Sequence, residues 1–168
     1  MRCKGMCIFF LLQTFTKKSF NFAIKYDTMQ NKICDVNSDA VRIVDVPCVV
    51  DDRGALCFVE GEGFLFDIKR VFWIYGIKEG QTRGNHAHMS CAEVVFPVSG
   101  SFDIEVDDGG CCMTYHLDSP NRGILIPAKV WCCLKNFSSD AVCVVMASQE
   151  YDADGYIHDY ETFKQMFG

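Results

Sequence analysis

The chain is short of positive charge: 16 lysines and arginines stand against 22 aspartates and glutamates, for a net charge of −6 and a pI near 5.1. Nucleic-acid surfaces need a basic stripe, so this balance argues against such a partner and leaves any anionic ligand to a few local arginines. Long apolar runs are also missing. Residues 6–12, behind Arg2 and Lys4, are too few to span a bilayer, and no small-x-small cleavage site follows them, so neither a membrane partner nor secretion is expected. No internal repeat, low-complexity tract or linker breaks up the 168 residues, a length that fits one domain with a substantial core.

Cysteine, by contrast, is abundant at 11 residues. The cysteines form no C-x-x-C pairs suited to zinc and lack the spacing of a small secreted scaffold. Cys111-Cys112 and Cys132-Cys133 are sequence neighbours that are poorly placed to bridge each other. Cys48, Cys57, Cys91 and Cys143 sit among apolar residues and read as small buried hydrophobes in a reducing cytoplasm. Residues 1–28 differ in character and are expected to be a leader, either poorly ordered or lying ahead of a translation start at Met29. Residues 29–168 are expected to form the single domain.

Helical periodicity is nearly absent from that domain. Residues 41–50 cluster β-branched side chains, Asp51-Asp52-Arg53-Gly54 supplies a turn, and residues 55–60 resume an extended pattern, which together predict a hairpin. Residues 69–75 form an aromatic strand. Residues 93–98 and 101–106 follow, then a turn at Asp107-Asp108-Gly109-Gly110, and further strands over 113–117, 124–127, 130–134 and 141–147. Short strands at regular intervals predict an all-β sandwich or barrel. Only residues 160–167 read as helix, with Asp159 as N-cap.

Two of the four histidines stand two apart in Arg83-Gly84-Asn85-His86-Ala87-His88. On a strand, side chains alternate between faces, so His86 and His88 share one face and Ala87 takes the other. Imidazole titrates near neutrality, so a pair either holds a metal or moves protons. Gly80, His86, His88, Glu93 and Gly100 have the spacing of the first cupin motif, and Gly123, Pro127, Cys132 and Asn136 echo the second, with cysteine in the usual histidine position. Glu93 stands where metal cupins place a carboxylate ligand, so His86, His88, Glu93 and Cys132 form a candidate ligand set for a divalent metal.

Other residues have two readings each. The Tyr75 phenol either packs at the rim or donates a proton to an enolate oxygen. Arg83 is either a solvated surface arginine or part of a fork for pyrophosphate, with Arg53, Arg70 and Arg122 as further candidates. Trp131 is either core or a flat wall for a sugar or base. His116 and His158 lie outside both motifs and read as surface or rim residues.

From about residue 41 onward the chain resembles the metal-independent, WxcM-like dTDP-sugar 3,4-ketoisomerases. The resemblance is carried by Asp52-Arg53-Gly54, Lys69-Arg70-Val71-Phe72-Trp73-Ile74-Tyr75, the histidine segment, Val98-Ser99-Gly100-Ser101, Val106-Asp107-Asp108-Gly109, Leu117-Asp118-Ser119-Pro120-Asn121-Arg122-Gly123, Pro127-Ala128-Lys129-Val130-Trp131, Asn136-Phe137-Ser138-Ser139-Asp140-Ala141 and Ala147-Ser148-Gln149-Glu150-Tyr151-Asp152. It implies a jelly-roll, RmlC-like cupin β-barrel with a short C-terminal helix, assembled as a homodimer that exchanges strands. It also implies an isomerase that interconverts 4-oxo and 3-oxo forms of a dTDP-linked 6-deoxyhexose, in deoxysugar and surface polysaccharide biosynthesis, with no cofactor and no metal. His86 and His88 would handle protons with Tyr75 beside the sugar, and Arg83, Arg53, Arg70, Trp131 and Glu93 would contact the substrate. Where the family has glutamine and histidine, this sequence has Glu93 and Cys132. The added carboxylate is expected to raise the histidine pKa values and favour imidazolium. Two alternatives remain open: a metal-dependent cupin enzyme using His86, His88, Glu93 and Cys132, and a non-catalytic cupin that binds sugar nucleotides.

Overall fold

The computed structural model describes residues 40–60 and 64–168, so the expectations for residues 1–28 and for a domain start at Met29 fall outside the described residues. The first β run divides at Pro47. Strand β1 (Arg42–Asp45) joins a large sheet, whereas β2 (Cys48–Asp51) and β3 (Gly54–Cys57) pair only with each other, as a separate two-stranded ribbon. Proline has no N–H to continue a ladder, and the Val46 amide just before it donates to the Asn121 carbonyl at 2.9 Å, outside the ribbon. The hairpin expected over residues 41–60 is therefore a shorter one, with a strand of a different sheet ahead of it.

The remaining strands are β4 (Arg70–Tyr75), β5 (Arg83–His88), β6 (Glu93–Ser99), β7 (Phe102–Asp107), β8 (Cys112–Leu117), β9 (Arg122–Ile126), β10 (Trp131–Lys135), β11 (Val142–Ala147) and β12 (Tyr156–Ile157). Together with β1 they form two five-stranded antiparallel sheets, ordered β1-β9-β6-β11-β4 and β12-β5-β10-β7-β8. This all-β jelly-roll is the architecture that the sequence implies. Between the sheets lies a core that includes Val95, Phe102, Ile104, Leu117, Ile124 and Val145. A smaller core of Ala87, Trp131, Ile157 and Phe163 covers the other side of β5 and β10.

Helix α1 (Tyr160–Phe167) seals that second core, and it starts where expected, with the Asp159 side chain accepting from the Thr162 amide at 2.8 Å. Phe163 is its fully buried anchor. The helix is also tied to the end of β7: the buried Asp107 carboxylate accepts from the Tyr160 hydroxyl at 2.5 Å and from the Gly109 amide at 2.7 Å. Burial alone would raise the Asp107 pKa, but the Tyr160 hydroxyl, the Gly109 amide and the Lys164 ammonium together hold it below the ordinary carboxylate value. Asp107→Ala strands these donors, so it is expected to lower stability by about 3 kcal/mol, read from urea unfolding. Because the folded pKa is depressed, the carboxylate's contribution is present above the unfolded value. It is lost as pH falls through the folded one, and the variant's deficit should shrink in that acidic window.

Candidate active site

Strand β5 carries the histidines, and its backbone departs from regular geometry just before them. Gly84 and Asn85 take left-handed φ values of 78° and 57°. Along β10, Cys132 pairs with His86 and Cys133 with Gly84, which leaves Asn85 as the extra residue of a β-bulge. Only glycine suits position 84, since an added Cβ would sit 2.9 Å from the Cys132 carbonyl oxygen. The bulge shifts the strand's alternation by one residue. Leu134 therefore pairs with Arg83, and cross-strand partners share a face, so Arg83 lies on the same face as His86 and Cys132, at the exposed start of the strand. Strict alternation would have put Arg83 on the opposite face.

The His86 and His88 rings meet edge to face, with centroids 4.9 Å apart. His88 is deeply buried at 7% exposure and Glu93 at 6%. The Glu93 Oε1 atom lies 3.2 Å from His88 Nε2 and 3.4 Å from Arg70 Nη2. The first of these is a close approach without hydrogen-bond alignment: among the described residues His88 Nε2 and Arg70 Nε are both buried with no hydrogen-bond partner. Buried polar atoms without a protein partner are costly unless a water or ligand bonds them.

A cavity of about 40 Å³ opens beside this cluster, lined by His86, Glu93, Cys132, Gly84, Phe72 and Ile74 among others. The larger cavity, about 340 Å³, lies instead among Val44, Val46, Phe58, Val59, Phe64 and Leu65. It takes nothing from the histidine cluster, so volume does not identify the reactive centre.

Burial pushes the His86 pKa below the usual imidazole value, and the neighbouring His88 pushes it further down. Glu93 acts in the opposite direction but is outweighed. The expected shift toward imidazolium is thus reversed for His86: desolvation of a ring in an apolar cavity exceeds the attraction of one carboxylate that already faces Arg70.

Sequence and structure diverge at three of the named residues. Tyr75 is 67% exposed, on the outer face of β4 with Val71 and Trp73, while Arg70, Phe72 and Ile74 alternate inward. No proton donor for the cavity comes from Tyr75. Trp131 pairs with Ala87 on the side opposite the histidines and packs on Tyr160 and Phe163 at centroid distances of 5.1 and 5.7 Å. It is core beneath α1, not a wall of the cavity. Arg53 sits at the tip of the β2–β3 ribbon in a side-chain pair with Asp51.

Tyr156 has no place among the residues named from the sequence, whereas His158, expected at the surface or rim, is exposed beside it. Strand β12 pairs Tyr156 with His88, so the two share a face, with ring centroids 4.3 Å apart. The Tyr156 hydroxyl lies 3.4 Å from Arg70 Nη2, and its ring stacks on His158 with centroids 5.4 Å apart. The alternation Tyr156-Ile157-His158 is the signal that was available, but two residues of strand are too few to stand out.

The donor atoms of His86, His88 and Glu93 lie within 4.8 Å of one another, close enough to ligate one ion. Cys132 is outside that group, and burial raises its thiol pKa far above the ordinary value, so it stays a thiol. Arg70 Nη2 lies 3.4 Å from Glu93 Oε1, so a cation held there would stand beside a second positive charge.

Residues 39–168 match the family model described as FdtA, WxcM-like, C-terminal. A curated relative, TDP-4-oxo-6-deoxy-alpha-D-glucose-3,4-oxoisomerase of Aneurinibacillus thermoaerophilus, is 36% identical over 125 residues, covering 74% of this chain and 90% of its own. A 3,4-ketoisomerase from Helicobacter canadensis superposes with TM-score 0.73 at 34% identity, covering 76% of this chain and 97% of the other. A mutant of the 3,4-ketoisomerase QdtA from Thermoanaerobacterium thermosaccharolyticum, solved in complex with TDP-4-keto-6-deoxyglucose, gives TM-score 0.73 at 29% identity, covering 76% of this chain and 93% of its own.

Proposed function

This chain belongs to the FdtA, WxcM-like C-terminal family, and from that premise we propose that it interconverts the 4-oxo and 3-oxo forms of a dTDP-linked 6-deoxyhexose, at a cavity where His86 removes the proton. The observation carrying this reading is a neutral imidazole, held so by burial, on the wall of a cavity beside a second imidazole at 4.9 Å.

A C3 hydrogen next to a C4 ketone becomes acidic when negative charge on O4 is stabilised. His86 takes that proton, the C3–H electrons form the C3–C4 double bond, and the carbonyl electrons move to O4 as an enediolate. A proton moves from O3 to the O4 side through the second imidazole. The His86 imidazolium, whose N–H exchanges with water, delivers a proton to C4 and returns to the neutral base, and the double bond shifts to C3–O3. Nothing is oxidised or reduced overall. The Arg70 guanidinium and Tyr156 hydroxyl, 3.4 Å apart, stand beside His88 and are suited to steadying the oxyanion. Arg83, on the histidine face at the open end of β5, is suited to a diphosphate.

A second copy of the chain fits this reading. Among the described residues the β2–β3 ribbon has no further sheet partner, and it exposes Val49, Val50 and Leu56, while the outer face of β4 exposes Val71, Trp73 and Tyr75. Exchange of ribbons between two copies would cover the Val49 and Leu56 face and carry Arg53 toward a neighbouring site, with Cys48 and Cys57 left on the opposite face. Among the described residues no helix is long and apolar enough to cross a membrane.

The deciding experiment incubates the full chain with dTDP-4-oxo-6-deoxyglucose in deuterated water under NMR. Deuterium entering the ring together with a 3-oxo product is the expected result. Absence of both with this and related keto sugars defeats the proposal and leaves a sugar-nucleotide binding protein.

A further inference from the structure

The sequence reading made Cys48 and Cys57 small buried hydrophobes, and the structure puts them elsewhere: Cys48 is exposed and Cys57 only half-buried, on the β2–β3 ribbon. They are direct cross-strand partners, and their Sγ atoms lie 2.7 Å apart. The position of the pair in the ladder matters. The next pair outward bonds through its backbone, the Phe58 amide donating to the Pro47 carbonyl at 3.2 Å. Antiparallel pairs alternate between hydrogen-bonded and non-hydrogen-bonded, so Cys48 and Cys57 occupy a non-hydrogen-bonded pair. There the Cα atoms approach to about 4.5 Å and the side chains to their closest, within the span a disulfide bridges.

We propose that Cys48 and Cys57 form a reversible thiol–disulfide site, oxidised by low-molecular-weight disulfides of the oxidised-glutathione class. The exposed Cys48 thiolate attacks one sulfur of the small disulfide, whose S–S bond breaks and releases one small thiolate. Cys57 then gives up its proton to solvent and attacks Cys48 Sγ, forming the protein disulfide and expelling the second small thiolate. Two protein thiols are oxidised, and one small disulfide is reduced to two thiols. In the reduced ribbon the hydrogen bond from Cys57 to Cys48 raises the Cys57 pKa to about 11, so Cys57 keeps its proton until Cys48 has reacted. The order of attack follows: exposed thiol first, half-buried thiol as resolver. This site is independent of the catalytic reading. Its effect is to lock the arm that carries Arg53 at its tip.

The test treats the full chain with oxidised glutathione, blocks remaining thiols with iodoacetamide, and digests with trypsin without reductant. Cleavage after Arg53 separates the two cysteines, so the expected product is residues 43–53 joined to residues 54–69, lighter than the two free peptides by two hydrogens. A thiol reductant should reverse it. Cys57→Ser should stop at glutathione attached to Cys48, whereas Cys48→Ser should leave Cys57 with iodoacetamide. The proposal is overturned if, after the oxidised-glutathione treatment, both cysteines of the unsubstituted protein are alkylated, if each carries its own glutathione, or if Cys48→Ser is modified at Cys57 as readily as the parent.

Discussion

Asparagine at position 86 is expected to lower kcat on dTDP-4-oxo-6-deoxyglucose by about 10²- to 10⁴-fold, the usual contribution of a positioned general base, while dTDP affinity is unchanged. Asparagine keeps polarity and approximate size but has no basic nitrogen at neutral pH, so the proton at C3 has no acceptor. His86 is only partly buried and borders a cavity, so the fold should tolerate the change. The parent enzyme supplies an independent check through pH. Burial and His88 keep the His86 pKa below the ordinary imidazole value of 6.5. A general base works when unprotonated, so kcat/KM should be level near neutrality and fall about tenfold per unit only below that pKa. An acidic limb at or above 6.5, or full turnover by His86→Asn, would remove His86 from the mechanism.

Arg70→Met should cost stability on the scale of a broken buried ion pair, about 3–5 kcal/mol in urea unfolding. The Arg70 and Glu93 side chains are 17% and 8% exposed, so removing the guanidinium leaves a carboxylate in a dry site with no permanent cation beside it, only the His86 and His88 rings. Methionine retains the length and much of the apolar contact with Phe72, over whose ring the Arg70 guanidinium sits at 5.0 Å. Adding Glu93→Gln removes the stranded charge and should recover most of the loss, since replacing both partners of a buried pair is often near neutral. A loss of less than about 1 kcal/mol for Arg70→Met, the range of solvent-exposed pairs, would mean that the two charges do not depend on each other. The double variant also reports on chemistry. If Arg70 steadies the oxyanion, stability returns while turnover does not.

Much of the site could be read from the chain because strands translate sequence into geometry with a period of two. That rule alone put His86 and His88 on one face, and their separation from Glu93 placed a carboxylate beside them. It failed at Arg83, where one extra residue in the ladder inverted the parity, although Gly84 and Asn85 are the residue types that tolerate such a conformation. At Tyr75 the alternation was read correctly and the face assigned wrongly. Val71, Trp73 and Tyr75 are as apolar as Phe72 and Ile74, so composition does not say which set turns inward.

By itself, the sequence determined an all-β chain with one capped terminal helix, a pair of imidazoles on a common face, and membership of a ketoisomerase family, since each of these follows from local period, turn chemistry or ordered motif. Only the tertiary structure decided that Tyr156 from the last strand joins the histidines, that Trp131 packs away from them, and that His86 stays neutral despite Glu93. Those outcomes depend on which distant strand lies alongside and on how much water it excludes. Such quantities are set by pairing across the whole chain and have no signature within any one segment of it.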